Sequence, residues 1–551
     1  MTDSLAIALA QINPCVGDID GNFNRIRTAC DKAKTVDLIV FSELVTSGYP
    51  PEDLVRKPVF QNRIEAGVAE LAKSTANGGP ALLIGTPWRV DGELYNAALL
   101  LDGGKIAEVR LKTDLPNYGV FDEKRVFEPG TNNRPIDFRG VKLGCLICED
   151  MWKPGLAKKL ADDGAELLIV INGSPFEIEK SDLRRNLAKN RVDETGRPLI
   201  YVNQVGGQDE LAFDGGSFVL DNEAGEAVQM ASWREDFEIT RWRKAQAGWT
   251  CEPGRVEFHP LGLEAMYNAM MVGLRDYVEK NGFPGVILGL SGGIDSALSA
   301  AVAVDALGAG KVHCVMMPSP YTSTESLEDA EACARLLGCG LDSVSIEPAM
   351  AAFKQMLSPL FEGTGTGVTE ENIQSRSRGL LLMAMSNKFG SMLLTTGNKS
   401  EMSVGYATLY GDMCGGYSVL KDVYKMQVFA LCKWRNAHQP AGGLGPSGPV
   451  MPERVITKPP SAELKPNQKD EDSLPPYEIL DAVLGALVEE EKSVDEVVAD
   501  GYDREIVRRV WRLLDRTEYK RRQAPPGVKL TFRAFGRDRR YPITNGFTNL
   551  I

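Results

Sequence analysis

Histidine is scarce in this sequence: the 551 residues include three, His259, His313 and His438. None of them lies in the kind of glycine-rich or carboxylate-rich turn that usually holds a catalytic base. A Ser-His-Asp or Cys-His hydrolase needs a histidine beside its nucleophile, so both classes are disfavoured. Any nucleophilic chemistry in this chain has to move protons with other side chains.

Long hydrophobic runs are also missing. The first eleven residues, Met1–Gln11, carry an acid before a short apolar run, which is not the pattern of a secretory signal peptide. No run is long enough to span a bilayer, so we expect no membrane partner. The ten cysteines are scattered without a secretory context, which predicts reduced thiols and a cytoplasmic location.

Basic side chains are outnumbered in this sequence. The 62 Lys and Arg residues stand against 75 Asp and Glu residues, for a formal net charge of −13. Proteins that bind nucleic acids usually present a basic face, so we expect no nucleic-acid partner. A local basic patch remains possible, for instance at Lys520–Arg522.

The chain is too long for one hydrophobic core, and its pattern changes near residue 250. The first part alternates short apolar strands with amphipathic helices such as Gln61–Ala76, and two turns, Asp102–Gly104 and Glu223–Gly225, look like hairpins. This pattern predicts a layered α/β sandwich. The predicted strands are Leu5–Ile12, Leu38–Phe41, Leu82–Gly85, Val141–Ile147, Leu167–Ile171 and Leu199–Val202.

A second α/β pattern follows a stretch without periodicity. We predict domains at residues 1–250 and 261–551, joined by a linker at 251–260. Beyond the linker, a helix at Leu261–Lys280 precedes a strand series that predicts a doubly wound parallel sheet of the Rossmann-like type. The further strands are Val312–Met317, Ser343–Ile346 and Met392–Thr395, and a long loop without apolar periodicity runs from Pro440 to Pro476.

The segment Val286–Leu298 is an apolar strand that passes through a glycine turn directly into a helix. Backbone N–H groups and the helix N-terminus in such a turn favour phosphate groups. Ser291 and Ser296 add hydroxyl donors, and Asp295 could hold the Mg²⁺ that accompanies ATP. No lysine follows the second glycine, unlike in a P-loop, which points to chemistry at the α-phosphate. The alternative is a tight packing turn without a ligand.

Three chemically capable side chains follow predicted strands in the first domain: Glu43, Lys112 and Cys148. The carboxyl ends of strands are where α/β sheets usually place their sites. A thiolate, a carboxylate base and an ammonium group could together attack an amide without histidine. Each residue also has a structural alternative: a buried thiol, a helix-capping carboxylate and a solvated surface charge. The Cys145–Cys148 spacing lacks a second cysteine pair, so we expect neither a zinc site nor a redox motif.

Three blocks around these residues resemble the glutaminase branch of the nitrilase superfamily: Phe41–Leu44, Leu111–Glu123 and Cys148–Trp152. The resemblance implies a nitrilase-like α-β-β-α sandwich and a glutamine amidohydrolase. It assigns Glu43 as the general base, Lys112 as the lysine that stabilises charge, and Cys148 as the nucleophile that forms a γ-glutamyl thioester. It further implies a supporting role for Glu123 and glutamine binding by Tyr118, Ser174 and Lys180.

The glycine turn resembles the phosphate loop of the PP-loop ATP pyrophosphatases. Downstream blocks narrow the likeness to the NAD synthetase family: Glu371–Arg376, Thr395–Glu401, Gly415–Asp422 and Ile456–Leu464. The resemblance implies that Asn372, Glu401 and Lys520 bind the deamidated dinucleotide and that Asp295 and Glu401 hold Mg²⁺. The ATP-binding residues it implies are Gly289, Leu290, Ser291, Gly292, Gly293, Ile294, Asp295, Ser296 and Thr396.

Both resemblances together imply glutamine-dependent synthesis of NAD from nicotinic acid adenine dinucleotide (deamido-NAD), through an adenylated intermediate. The partners would be deamido-NAD, L-glutamine and ATP, with Mg²⁺, in a homo-oligomer built on dimers of the synthetase domain. Because ammonia is mostly protonated in neutral water, a sheltered passage between the sites is expected. Two alternatives remain at this point: another adenylating amidotransferase, and a nucleotide sensor without catalytic activity.

Overall fold

The computed structural model describes residues 3–76, 78–131, 133–246, 248–466 and 468–547. It divides into two compact units, residues 1–261 and 262–551, which are described separately below. In the part of the chain that is described, no helix is long and apolar enough to cross a membrane.

The first unit contains two main sheets and a two-stranded ribbon. One sheet has the order β15-β14-β1-β2-β3-β4-β5, the other has the order β13-β12-β9-β8-β7-β6, and β10 pairs with β11. The predicted hairpins are confirmed, since β4 pairs with β5 and β12 with β13, both antiparallel. The elements are β1 (Ser4–Gln11), α1 (Ile19–Lys32), β2 (Leu38–Val40), α2 (Pro58–Ser74), β3 (Ala81–Val90), β4 (Glu93–Asp102), β5 (Lys105–Leu111), β6 (Ile136–Phe138), β7 (Val141–Ile147), α3 (Glu149–Trp152), α4 (Leu156–Asp162), β8 (Leu167–Asn172), α5 (Lys180–Thr195), β9 (Leu199–Asn203), β10 (Val205–Gln208), β11 (Leu211–Asp214), β12 (Phe218–Leu220), β13 (Glu226–Gln229), β14 (Asp236–Ala245) and β15 (Gly248–Cys251).

Strand alternation explains how this unit forms layers. In β2, Leu38 and Val40 join a buried cluster that also contains Ile147 and Ile169 of the other sheet. The intervening residue, Ile39, faces the opposite way and packs in a cluster with side chains of α1 and α2. The second sheet is covered on its outer face by α4 and α5. The layers are therefore helix, sheet, sheet and helix, which confirms the predicted sandwich.

The second unit is built on one parallel sheet. Its order is β18-β17-β16-β19-β20, and all neighbouring strands run parallel, which confirms the doubly wound fold. The chain leaves β16 toward one edge and later returns to its other side, so β16 lies at the topological switch point where such folds bind ligands. The elements are α6 (Gly262–Lys280), β16 (Val286–Gly289), α7 (Ile294–Leu307), β17 (Val312–Met316), α8 (Thr324–Leu337), β18 (Gly340–Ser343), α9 (Glu347–Leu357), α10 (Val368–Phe389), β19 (Met392–Thr395), α11 (Lys399–Val404), β20 (Tyr417–Ser418), α12 (Lys425–Ala437), α13 (Glu453–Thr457), α14 (Tyr477–Val488), α15 (Val494–Ala499), α16 (Arg504–Arg516) and α17 (Glu518–Arg521).

One predicted strand is placed wrongly by the sequence pattern. The sequence pattern predicts a strand at Ser343–Ile346, but the strand in the structure is β18, which ends at Ser343. Ile346 is instead the N-cap of α9, and its N–H group bonds to the carbonyl of Pro318. Ile346 is buried at the connection into the helix, which does not require pairing in the sheet, whereas Val344 is exposed.

The long loop at 440–476 is held against the second unit by polar contacts. Within it, Glu463 accepts hydrogen bonds from Ser323 Oγ at 2.8 Å and Ser326 Oγ at 2.9 Å, both at the start of α8. Lys458 Nζ lies 3.0 Å from Asp329, and the Leu464 carbonyl accepts from Gln374 of α10 at 2.8 Å. The described part of the loop therefore packs along the same edge of the sheet as the glycine turn.

Candidate active sites

The three predicted residues of the first site follow the ends of β2, β5 and β7. Glu43 and Lys112 come from one sheet, and Cys148 comes from the other. Strand β3 passes very close to Glu43: a Cβ on Gly85 would lie 2.4 Å from the backbone nitrogen of Leu44 and 2.6 Å from Cα of Glu43. Only glycine fits at position 85, and its lack of a side chain lets the segment after β2 pack directly against β3.

A buried charge cluster connects Glu43, Lys112 and Glu123. Lys112 Nζ lies 2.7 Å from Glu43 Oε1 and 2.8 Å from Glu123 Oε1, and both Lys112 and Glu43 are 0% exposed. The Tyr49 hydroxyl donates to Glu123 Oε1 at 2.9 Å, and the Gly173 N–H group donates to Glu43 Oε2 at 2.7 Å. Burial lowers the pKa of Lys112, but the charges of Glu123 and Glu43 outweigh it and leave the pKa raised well above its ordinary value. The two carboxylates therefore keep the ammonium group charged.

Cys148 occupies a sharp turn between β7 and α3. Its backbone has φ 46°, in the left-handed region that non-glycine residues seldom adopt, and its side chain is buried. Burial raises the pKa of the thiol well above its ordinary value, Glu43 and Glu123 raise it further, and Lys112 opposes them. The resting group is therefore a thiol, and it could act as a nucleophile only if a nearby base removed its proton.

Two of the three predicted glutamine-binding residues, Tyr118 and Lys180, lie around one aromatic wall formed by Phe121. The Tyr118 hydroxyl donates to Glu149, the neighbour of Cys148, at 2.9 Å, and its ring packs edge-to-face on Phe121 with centroids 5.5 Å apart. Lys180 Nζ stands 5.3 Å from the centroid of the same Phe121 ring. Ser174 directly follows Gly173, the donor to Glu43.

Two side chains near this site were not found from the sequence. Glu177 lies 3.3 Å from Lys180 Nζ, so the ammonium group already has an acidic neighbour. Asn96, in the middle of β4, donates to Glu43 Oε1 at 2.8 Å and approaches Glu123 Oε2 at 3.5 Å. A single amide in the apolar run of β4 was the only sequence signal for Asn96.

The glycine turn of the second unit has a fixed shape. Gly292 has φ 77°, and Gly293 is the N-cap of α7. The Ser291 and Ser296 hydroxyls lie 3.1 Å apart, and Ser296 Oγ donates to the Gly293 carbonyl at 3.0 Å. The two serine side chains therefore stabilise the turn between β16 and α7.

Asp295 and Glu401 converge on Lys425, which no sequence motif marks. Lys425 Nζ is ion-paired with Asp295 and lies 3.2 Å from Glu401 Oε1. Asn398 Nδ2 donates to the other Asp295 oxygen at 2.8 Å. Burial, reinforced by Asp295, raises the pKa of Glu401 to about 8, although Lys425 opposes the shift. Lys425 had no motif of its own, since it begins α12 without a distinctive neighbour.

The paired carboxylates provide a partial cation site. Asp295 and Glu401 both direct an oxygen at one ammonium group, and Mg²⁺ with a nucleotide commonly takes one or two carboxylates plus phosphate oxygens. Apart from the residues left undescribed, the chain holds no group of three or more His, Cys, Asp or Glu side chains suited to a metal ion. The two carboxylates thus fit Mg²⁺ only as part of a complex with ATP.

The remaining predicted residues lie around α11 and β19. Thr396 directly follows β19, the parallel neighbour of β16. Lys520 Nζ donates to the carbonyls of Gly405 and Ala407 at 2.8 and 2.6 Å, just beyond α11. Asn372 accepts from the Thr408 hydroxyl at 3.0 Å in the same segment. Asn372 and Lys520 thus both bind the segment that directly follows α11, the helix that contains Glu401.

Sequence comparison places both units in known families. The family model for carbon-nitrogen hydrolase matches residues 6–241, and the model for NAD synthase matches residues 266–524. A glutamine-dependent NAD(+) synthetase of Rhodobacter capsulatus is 50% identical over 99% of this chain and 99% of its own length. The chain belongs to the glutamine-dependent NAD(+) synthetase family.

Other members of the glutamine-dependent NAD(+) synthetase family agree over the full length. The enzyme of Acinetobacter baylyi is 45% identical over 99% of both chains. A solved structure of the Acinetobacter baumannii synthetase, in complex with ADP, is 44% identical with a TM-score of 0.78 and covers 99% of both chains. The whole chain, and not one unit alone, therefore matches the family.

Proposed function

We propose that this chain catalyses the ATP-dependent amidation of deamido-NAD to NAD, using ammonia released from L-glutamine. The products are NAD, AMP, pyrophosphate and L-glutamate. The observation that carries the proposal is the occurrence, in one chain of this family, of a buried cysteine–glutamate–lysine cluster in the first unit and a braced phosphate-type turn in the second.

The first site releases ammonia in two covalent steps. Glu43 takes the proton of Cys148, the sulfur attacks the side-chain amide carbon of glutamine, and the carbonyl oxygen becomes negatively charged. Two protons of the Lys112 ammonium group face carboxylates, and its third is left for that oxygen. Glu43 then returns the proton to the departing nitrogen, so ammonia leaves and a thioester remains. Water activated by Glu43 hydrolyses the thioester to glutamate and restores the thiol.

Glutamine binds at the aromatic wall beside the thiol. Lys180 recognises the α-carboxylate, while Tyr118 and Ser174 orient the chain of the substrate. The support is their grouping: Lys180 and Tyr118 both pack on Phe121, and Tyr118 bonds to the neighbour of Cys148. Glu123 supports the cluster by sharing Lys112 with Glu43.

The second site activates the substrate carboxylate. ATP lies on the turn Gly289–Ser296 with Thr396 beside it, and the nicotinate oxygen of deamido-NAD attacks the α-phosphorus so that pyrophosphate leaves. Ammonia then attacks the acyl carbon and displaces AMP. Asn372, Glu401 and Lys520 hold deamido-NAD. Asp295 and Glu401 would hold Mg²⁺, which neutralises phosphate charge when it is bound.

Product analysis tests this reaction directly. The protein is incubated with deamido-NAD, ATP, Mg²⁺ and glutamine, and nucleotides and glutamate are separated by chromatography. We expect AMP and pyrophosphate to form together with NAD. Formation of ADP and orthophosphate instead would exclude transfer of the adenylyl group and overturn the proposed function.

Transfer of ammonia through a sheltered passage, assembly from dimers of the synthetase domain and a cytoplasmic location complete the proposal. The family membership supports them. Glutamine-driven synthesis that is insensitive to enzymes that consume free ammonia would support sheltered transfer.

A further inference from the structure

Asn96 connects three of the four charged or reactive residues of the first site. It lies in β4, is 0% exposed, and donates from Nδ2 to Glu43 Oε1 at 2.8 Å and toward Glu123 Oε2 at 3.5 Å. Its backbone carbonyl accepts the N–H group of Lys112 at 2.8 Å. Asn96 therefore positions the side chains of Glu43 and Glu123 through its amide group, and the backbone of Lys112 through its carbonyl group.

The orientation of this amide is fixed by chemistry. Turning the amide over would direct Asn96 Oδ1 at oxygens of two carboxylates, and an oxygen facing them would be repelled. In the present orientation Oδ1 has no hydrogen-bond partner among the described residues, although it is buried. The side chain therefore keeps its donor end on the glutamates even though its acceptor end is left unsatisfied, which costs stability.

The donors around Glu43 occupy its two oxygens unequally. A carboxylate oxygen offers about two lone-pair positions. Oε1 accepts from both Lys112 at 2.7 Å and Asn96 at 2.8 Å, whereas Oε2 accepts from the Gly173 N–H group at 2.7 Å. Oε1 is thus saturated, and Oε2 retains one position for an incoming proton.

We propose that Asn96 is a positioning residue of the glutaminase site: by saturating Glu43 Oε1, it makes Oε2 the oxygen that receives the proton of Cys148. This inference rests on the proposed roles of Glu43 and Cys148. The Gly173 N–H group fixes the position of Glu43 Oε2 by its hydrogen bond. The proton is therefore taken up at one defined position.

Removal of the amide donor should weaken this arrangement. Asn96→Leu keeps approximately the same volume without a donor, so Glu43 Oε1 loses one hydrogen bond and becomes a second position for the proton. We expect glutaminase kcat to fall about tenfold or more, with a smaller change in KM for glutamine, since one hydrogen bond to a charged group is lost.

The pH profile separates positioning from simple support of the fold. Asn96 donates to Glu43 and toward Glu123, so its loss removes a donor that this pair of carboxylates shares. The acidic limb of kcat/KM should therefore move to higher pH by about one unit in Asn96→Leu. Asn96→Asp has almost the same shape but places a third carboxylate beside two others, and should move the limb in the same direction. If Asn96→Leu does not fold, the pH profile of Asn96→Asp tests the inference instead.

Asn22 supplies the matched control. It is also 0% exposed in the first unit, but among the described residues its side-chain N–H groups donate to the backbone carbonyls of Cys15 and Thr46 and not to a carboxylate. Asn22→Ala should lower the temperature of unfolding and leave the pH limb of glutaminase activity in place.

The measurement is steady-state glutaminase activity against pH for the full chain, with thermal unfolding recorded for each variant. A shifted limb with reduced kcat in the Asn96 variants supports the inference. If both variants keep the pH limb and kcat of the original protein, the inference is overturned, whatever their stability. Glu43→Gln distinguishes the underlying proposal: if that variant retains full glutaminase activity, the role of Glu43 fails first.

Discussion

Gly292 and the carbonyl oxygen of Ser326 approach so closely that a Cβ on Gly292 would lie 2.2 Å from that oxygen. The positive φ of Gly292 adds a second reason for glycine. Gly292→Ala should therefore displace the turn and reduce NAD synthesis strongly with either glutamine or ammonium salts. Gly310→Ala is the matched control, since a Cβ there meets nothing within 4 Å. Equal synthesis rates for the two variants would contradict a phosphate-binding role for the turn.

The two sites should be separable by mutation. Cys148→Ala removes the nucleophile, so glutamine-supported synthesis should be lost while synthesis with added ammonium salts persists. Asp295→Ala should abolish both activities, because it acts after ammonia is available. The comparison requires initial rates of NAD formation with each nitrogen source. Loss of ammonium-supported synthesis in a folded Cys148→Ala variant would contradict the two-site scheme.

Buried Lys425 compensates two half-buried carboxylates, Asp295 and Glu401. Lys425→Met leaves both without their shared cation, and we expect a loss of about 2 kcal/mol in the free energy of unfolding, since water still reaches part of each carboxylate. NAD synthesis should also fall with both nitrogen sources. Lys311→Met removes a lysine that is 49% exposed and should change stability little. Denaturant unfolding of both variants provides the comparison. Equal losses of stability would argue against a structural role for Lys425.

The thiol of Cys148 should titrate at unusually high pH. Burial and the neighbouring glutamates raise its pKa well above the ordinary value. A raised thiol pKa means that the reactive thiolate is a minor form at neutral pH and increases as pH rises. Alkylation by iodoacetamide, followed at Cys148 by mass spectrometry, should therefore accelerate from about pH 7 to about pH 9 without a plateau. A plateau below about pH 8 would show an ordinary or lowered pKa instead.

The residues that the sequence identified are those whose position follows from element ends. Glu43, Lys112 and Cys148 each follow a strand, and strands of these sheets bring their ends together, so the structure groups them. The glycine turn was found because a strand passes directly into a helix. Both inferences use local patterns that the printed sequence contains.

Asn96 and Lys425 could not be predicted from the sequence, because their roles depend on contacts between distant elements. Asn96 lies inside a strand, where alternation predicts only a face, and its partners come from segments that are far away in the chain. Lys425 reaches Asp295 across more than a hundred residues, and no motif marks it. The strand predicted at Ser343–Ile346 shows the same limit, because apolar residues that cap a helix and apolar residues in a ladder have similar patterns.

The central claim is that nitrogen freed at Cys148 enters the carboxamide of NAD. It is tested most directly with glutamine carrying heavy nitrogen in its side-chain amide, supplied together with deamido-NAD, ATP, Mg²⁺ and unlabelled ammonium, with Cys148→Ala as the control. We predict that the original protein forms NAD enriched in the heavy isotope, and that the variant forms only unlabelled NAD. Unlabelled NAD from the original protein, with glutamine left intact, would contradict the claim.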